Sequence, residues 1–327
     1  MRRKAAIAFC GAWGLGLVSL PLTAKAQRAE KTYSIGILSQ STRYPPVVED
    51  LGMRLREVGR SEGFTVKFEE RWANDHWEDL PKLAAELVAL RVDLIVANGD
   101  TPTVAAAVGA TRQIPIVFLW VSDPVGQGLI RSLRQPGGNV TGLSILGPEL
   151  EVKRLELLKQ AAPKITRVAV LTNRAASDLA VPLTRLQSAS HSLGIQLSVF
   201  DVRAPSELAK ALEQVAQADV HGIVVQDDYM LNVLVPQVAN FALKHRLPVA
   251  AEGMSDGVLI AYRFDWDEQF LRAAKLIGKI LNGANPGDLP IEQPTRFRLA
   301  IDLRTARILG LAIPNSVLMR ADKILQD

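Results

Sequence analysis

The chain has 327 residues, with 38 lysines and arginines against 34 aspartates and glutamates, four histidines and one cysteine. Four of the bases (Arg2, Arg3, Lys4, Lys25) and the cysteine, Cys10, fall within the first 26 residues, so the remainder sets 34 bases against 34 acids. That balance leaves no electrostatic footprint for nucleic acid or an anionic membrane surface, and the remainder holds no disulfide, thiolate nucleophile or cysteine metal site.

In chain order, the first feature is a leader. Arg2, Arg3 and Lys4 precede an apolar run from Ala5 to Leu22 and the small-residue site Ala24-Lys25-Ala26. That is the order of a secretory signal peptide, with cleavage expected after Ala26. Export without disulfides suits a bacterial periplasm. Roughly 300 residues then remain, room for two domains, and no later apolar run approaches the ~20 residues that span a bilayer. No direct membrane insertion is expected after cleavage.

Short runs rich in Val, Ile and Leu then alternate with amphipathic stretches, the pattern of parallel strands covered by helices on both faces. The first series of strands is expected near 33–39, 65–72, 92–98, 114–121 and 139–144, and a helix near Leu80–Leu90 carries Leu80, Leu83, Leu87 and Leu90 on one stripe. A second series is expected near 166–173, 195–202, 221–226, 247–252 and 257–263. A helix over Asp265–Leu281, a Pro-rich connector, a last strand over Arg296–Asp302 and a helix from Leu303 close the chain. The expected architecture is α/β, two doubly wound parallel-sheet lobes joined by hinge strands. Residues 27–145 plus 264–292 form the N-terminal lobe and 146–263 plus 293–327 the C-terminal lobe, with the main crossing near Ser144–Pro148.

Ligands of open parallel sheets sit beyond the carboxyl ends of the strands. Here those ends carry Ser39, Gln40 and Ser41, then Asp100, Thr101 and Thr103, then Trp120, Ser122 and Asp123 on the N-terminal lobe. The C-terminal lobe offers Asn173, Asp227, Asp228 and Glu252. Thr101 as N-cap and Pro102 as first helical residue would aim free amides at the cleft, either to hold a carboxylate or phosphate or simply to start a helix. Neutral Ser and Thr donors on one lobe and acids on the other would suit a zwitterion, while each acid taken singly also reads as a solvated cap. Trp72, Trp77 and Trp120 make either a stacking wall or ordinary packing.

Catalytic signals are missing. His76, His191, His221 and His245 have no metal-ligand spacing, and no nucleophile elbow, phosphate loop or dinucleotide fingerprint occurs. Neither a cofactor nor catalysis is expected.

The stretch from Leu80 to Ser144 resembles the ABC transporter substrate-binding protein family typified by tryptophan- and tyrosine-type amino-acid binders. The resemblance rests on Ile114-Pro115-Ile116-Val117, Asp123-Pro124-Val125-Gly126 and Pro136-Gly137-Gly138-Asn139-Val140-Thr141-Gly142. It resumes at LELLKQAAP (155–163), LKHRLP (243–248) and residues 289–322. The resemblance implies a type I periplasmic-binding-protein fold, a small solute held between the lobes, and delivery to a membrane ABC permease. By position it places the loops at Ser39–Thr42, Thr101–Thr103 and Ser122–Asp123 on one wall and Asn173, Asp228 and Glu252 on the other. Tyr262 matches the family pattern, but Arg263 stands where glycine is usual, and Trp120 is larger than the common residue. The expected function is periplasmic capture of an amino-acid-like or other small polar or aromatic solute. The alternatives are a ligand sensor presenting the same fold to a membrane receptor and, without motif support, an exported α/β enzyme.

Overall fold

In a computed structural model describing residues 31–42, 45–174 and 180–326, the apolar runs form the centres of two sheets. The leader and Cys10 lie outside the described residues. The first half of the chain runs β1 (Lys31–Ser39), α1 (Pro45–Glu62), β2 (Phe64–Trp72), α2 (Leu80–Ala89), β3 (Leu94–Asn98), α3 (Thr101–Ala110), β4 (Ile116–Val121) and β5 (Val140–Ser144). These strands make one parallel sheet in the order β2-β1-β3-β4-β5. β3 and β5 are buried along their whole length because helices cover both faces, which is why β3 is apolar from Leu94 to Ala97 instead of alternating.

The second half runs α4 (Gly147–Ala161), β6 (Arg167–Thr172), α5 (Ala180–Ser192), β7 (Gln196–Asp201), α6 (Leu208–Gln217), β8 (Ile223–Val225), α7 (Tyr229–Lys244), β9 (Val249–Ala251), β10 (Ile260–Phe264), α8 (Trp266–Leu281), β11 (Phe297–Asp302), α9 (Leu303–Leu309), α10 (Asn315–Leu318) and β12 (Lys323–Leu325). Its sheet has the order β12-β11-β10-β9-β8-β6-β7. The β10–β11 pair alone is antiparallel, because the chain leaves this sheet at the end of β10 and re-enters at that same end, where Phe264 pairs with Phe297. The closing segment holds more than the single helix expected after Leu303: α10 follows α9, and β12 adds an edge strand beside β11.

The excursion between β10 and β11 belongs to the other sheet. Phe270, Ala273, Ala274 and Ile277 of α8 pack with Ile35, Ile37, Leu94 and Val117 in one core cluster. Asp265 starts the helix by accepting the amides of Asp267 and Glu268, and its second oxygen takes Arg298 from β11 at 2.7 Å. On the way back, Glu292 bridges beside Leu143: its N–H donates to the carbonyl of Gly142 and its carbonyl accepts from Ser144. Three strand-edge crossings, after Ser144, at Asp265 and around Glu292, therefore join the two sheets.

β5 packs so tightly that it tolerates no side chain at Gly142. A Cβ there would stand 2.3 Å from the carbonyl oxygen of Phe118 and 2.6 Å from its ring. Gly142→Ala is expected to cost about 1–3 kcal/mol by overpacking, read as a lower denaturant midpoint with unchanged slope.

Candidate functional site

Most of the polar groups that reach the space between the sheets do so from the carboxyl ends of strands. β1 delivers Ser39, Gln40 and Ser41, all buried. β3 delivers Asn98, then Gly99, at φ 146°, where a Cβ would press within 2.7 Å of Thr103 Oγ1 and 2.9 Å of Gln40 Oε1; only glycine fits. Asp100 follows as the N-cap of α3, one residue earlier than the Thr101 cap expected, with Thr101 as the first helical residue. Asp100 caps by position only, since its carboxylate accepts none of the helix amides.

That carboxylate is held from the side. Gln40 Nε2 donates to Asp100 Oδ2 at 2.9 Å, and Gln40 Oε1 accepts from the Asp100 amide and from Thr103 Oγ1, each at 3.0 Å. A parallel chain fixes Trp120. Ser41 and Ser39 hydroxyls meet at 3.1 Å, Asn98 Nδ2 donates to Ser39 Oγ, and Asn98 Oδ1 accepts from Trp120 Nε1 at 3.0 Å. Trp120 itself sits at φ 71°, at a bulge where the β4–β5 register shifts between Leu119 and Val121. Such a backbone costs about 1–3 kcal/mol and persists only where neighbours over-determine it. Here they aim the indole into the cleft, stacked on Phe264 at 5.7 Å and edge-on to Trp266 at 4.8 Å and Phe270 at 5.5 Å.

The opposing wall is acidic. Asp228 caps α7 by accepting the Leu231 amide at 2.9 Å and takes Asn173 Nδ2 on its other oxygen. Asp227 beside it faces Arg154 Nη2 at 3.3 Å and Asn232 Nδ2 at 3.2 Å, and Asn232 also donates to Glu252 beyond β9. Arg154, on α4, has no exposed surface and donates its Nε to the carbonyl of Tyr262. Burial dominates the proton affinities. It raises Glu252 to about 8, with Asp227 adding to the rise, and Asp228 to about 6, with the Leu231 amide pulling back. Glu151, one turn before Arg154, is raised to about 7 by burial against the pull of that arginine, and Asp100 is raised by burial despite Gln40.

Two connected spaces result. A chamber of about 380 Å³ is bounded by Gln40, Ser41, Asp100 and the Trp120, Phe264 and Trp266 rings on one side, and by Asp227, Asp228, Asn232 and Glu252 on the other. A second, of about 470 Å³, lies toward the first crossing, among Thr101, Ser122, Asp123, Gly147, Glu151 and Gln226. Asp100, Trp120, Ile145, Asp227 and Asp228 line both. Thr42 and Tyr229 hydroxyls approach to 3.4 Å across the lobes.

Of the residues expected at the site, Gln40, Ser41, Asp100, Trp120, Asp227, Asp228 and Glu252 converge on the smaller chamber, and Thr101, Ser122 and Asp123 on the larger. Ser39, Thr103 and Asn173 stand behind as buried supports of Asn98, Gln40 and Asp228. Tyr262 does not reach the cleft. It lies two residues short of the end of β10, over the sheet face, stacked on Phe297 at 6.0 Å within the core beneath α4 and α9. Nor do Trp72 and Trp77 line either space: Trp72 packs against the same core cluster as Trp120, and Trp77 against another. The aromatic wall is completed instead by Phe264 and Trp266, whose signal was an aromatic pair flanking Asp265 at a crossing. Arg154 and Glu151 gave no such signal, since an acid and a base three apart read as a solvated helix face. Among the described residues no group of three or more His, Cys, Asp or Glu side chains is placed to hold a metal ion, and no helix is long and apolar enough to cross a membrane.

Residues 46–325 match the model of the family described as ABC transporter substrate binding protein. The chain belongs to that family. It is a family of extracytoplasmic binding proteins that serve ABC transporters with small solutes, not of enzymes. A tyrosine-binding protein of Clostridioides difficile (strain R20291) is 28% identical over 295 residues, 88% of this chain and 84% of that one. Among solved structures, a conserved domain protein of Vibrio cholerae is 27% identical with a TM-score of 0.80, covering 90% of this chain and all of that one. An ABC domain from Streptococcus pneumoniae in complex with L-Trp is 24% identical with a TM-score of 0.79, covering 89% of this chain and all of that one, a likeness of fold. The two doubly wound lobes are thus those of a type I periplasmic-binding protein.

Proposed function

We propose that the protein, freed of its leader after Ala26, works in the periplasm, captures an amino-acid-like or other small polar or aromatic solute in the 380 Å³ chamber and hands it to a membrane ABC permease. The solute carries an ammonium group and an aromatic or apolar body. The observation that carries this reading is the meeting of an aromatic wall, Trp120 with Phe264 and Trp266, and a carboxylate wall, Asp227 and Asp228 with Glu252, in one space of amino-acid size. Rings offer stacking and a face for a cation, and the acids accept its N–H groups. The tyrosine and L-Trp named for the relatives support the same choice. The lobes, 27–145 with 264–292 and 146–263 with 293–327, close as units about the three crossings, and closure over the solute is the form a permease recognises.

A thermal-shift screen of residues 27–327 against amino acids, amines, small carboxylates, nucleosides and sugars tests this. A ligand at ~100 times its dissociation constant adds about 2.7 kcal/mol of stability. Stabilisation confined to sugars or nucleosides would sink the proposal. Trp120→Ala is expected to weaken the best ligand about two- to tenfold, since a lost ring contact is worth about 0.5–1.5 kcal/mol. Calorimetric titration of the variant, shown folded by circular dichroism, checks it.

A further inference from the structure

The two walls do not carry opposite charges. A zwitterionic amino acid needs donors for its carboxylate, and the sequence places them in the Ser, Gln and Thr groups of the N-terminal lobe. In the fold Ser39, Gln40, Ser41 and Thr103 are engaged with one another and with their neighbours, while Thr101 and Ser122 line the larger chamber. Ser39 and Ser41 are engaged together and with Asn98, Asn98 with Trp120, and Thr103 and Gln40 with Asp100. What the N-terminal lobe presents at the α3 terminus is the Asp100 carboxylate, clamped by Gln40, close enough to feel the charge of Asp227 and for Asp228 to feel its own. No lysine, arginine or histidine among the described residues lines this chamber, and Arg185, which lines the larger one, is paired with Glu149. Arg154 is sealed behind Asp227 and serves it. Among the described residues two buried atoms behind this wall lack a partner, the acceptor Asn232 Oδ1 and the donor Arg154 Nη1, while Asn232 Nδ2 bridges Asp227 and Glu252. Carboxylates on both lobes, Asp100 facing Asp227 and Asp228, beside the Trp120 and Trp266 rings, call for N–H donors on a positively charged group.

We propose that the solute is an organic cation, a primary amine or amidine on an aromatic or apolar body with no free carboxylate, and that Asp100 sets this preference against amino-acid zwitterions. This rests on the chamber being the solute site. The carboxylate of an amino acid placed with its ammonium at Asp227 and Asp228 would meet Asp100 in a water-poor space, where like charges repel strongly.

The test is calorimetric titration of residues 27–327 at pH 8 with pairs differing only in the carboxylate: tryptamine against tryptophan, tyramine against tyrosine, phenethylamine against phenylalanine. The amine of at least one pair is expected to bind tenfold or more tightly than its amino acid. Asp100→Asn should lower amine affinity at least fivefold and narrow or invert the ratio. Equal or tighter binding of the amino acids overturns the cation proposal and leaves amino-acid capture standing. Binding by neither member of any pair overturns both. The parent protein's ratio decides the matter even if D100N does not fold.

Discussion

Arg154→Met lowers the stability of the ligand-free protein by about 3–5 kcal/mol, the usual cost of removing one partner of a buried ion pair. The guanidinium has no solvent-exposed surface, faces Asp227 at 3.3 Å and donates Nε to the carbonyl of Tyr262. It is also the nearest cation restraining the raised proton affinities of Glu151 and Glu252. Methionine fills the volume but leaves Asp227 uncompensated and one buried carbonyl without its donor. The deficit should be larger at pH 8 than at pH 6, because at the lower pH Glu151 and Glu252 take up protons and the uncompensated charge shrinks. Chemical denaturation at both pH values checks this, and adding Asp227→Asn should recover much of the loss. An R154M protein as stable as its parent at pH 8 would mean that water, not Arg154, solvates the acidic wall.

The second large effect is a steep pH dependence of solute binding. With Glu252 raised to about 8, Glu151 to about 7 and Asp228 to about 6, the empty cleft carries protons across the range from pH 6 to 8. A cationic group favours the ionised carboxylates, so binding releases protons and affinity rises with pH through that window, levelling above about 8. The slope is about tenfold per pH unit for each proton released. Glu252 is the main contributor, faced by Asp227 after β8, Asn232 on α7, Arg154 on α4 and Arg263 on β10. Titration in buffers of different ionisation enthalpy counts the protons directly, and Glu252→Gln should remove a large part of the slope. The same shifts act on folding with the opposite sense. A carboxyl whose proton affinity is raised by folding binds more protons in the native than in the unfolded chain between pH 4.5 and 8, so its contribution to stability falls as pH rises through that interval. The unliganded protein should therefore melt lower at pH 8.5 than at pH 6, and bound solute should close that gap.

Much of the site's skeleton was legible before any coordinates. Apolar runs ending in small polar or acidic residues located the carboxyl ends of the strands, and Gln40, Asp100, Trp120, Asp227, Asp228 and Glu252 were picked out on that ground and line the chamber. The sequence reading missed at Tyr262, which it took from the family resemblance and not from a strand end, because two residues along a strand separate a side chain at the mouth of the cleft from one lying over the sheet. It also misjudged the N-terminal lobe. Ser39, Thr103 and Gln40 are potential donors in any sequence pattern, and only their mutual distances reveal that they hold Asp100 and Trp120 in place.

What the sequence by itself determined was local. Periods of two and near four, strand-ending polar groups and turn residues settle which segments become strands and helices and where each chain end of a strand opens, because those preferences depend on neighbours a few positions away. Tertiary structure alone decided the chemistry of the cleft. Asp100 and Asp227, Glu252 and Arg154, and Trp120 and Phe264 lie about a hundred residues or more apart in the chain, and the fields, burial and ring contacts that set their behaviour arise only when two sheets and three crossings bring them within a few ångströms.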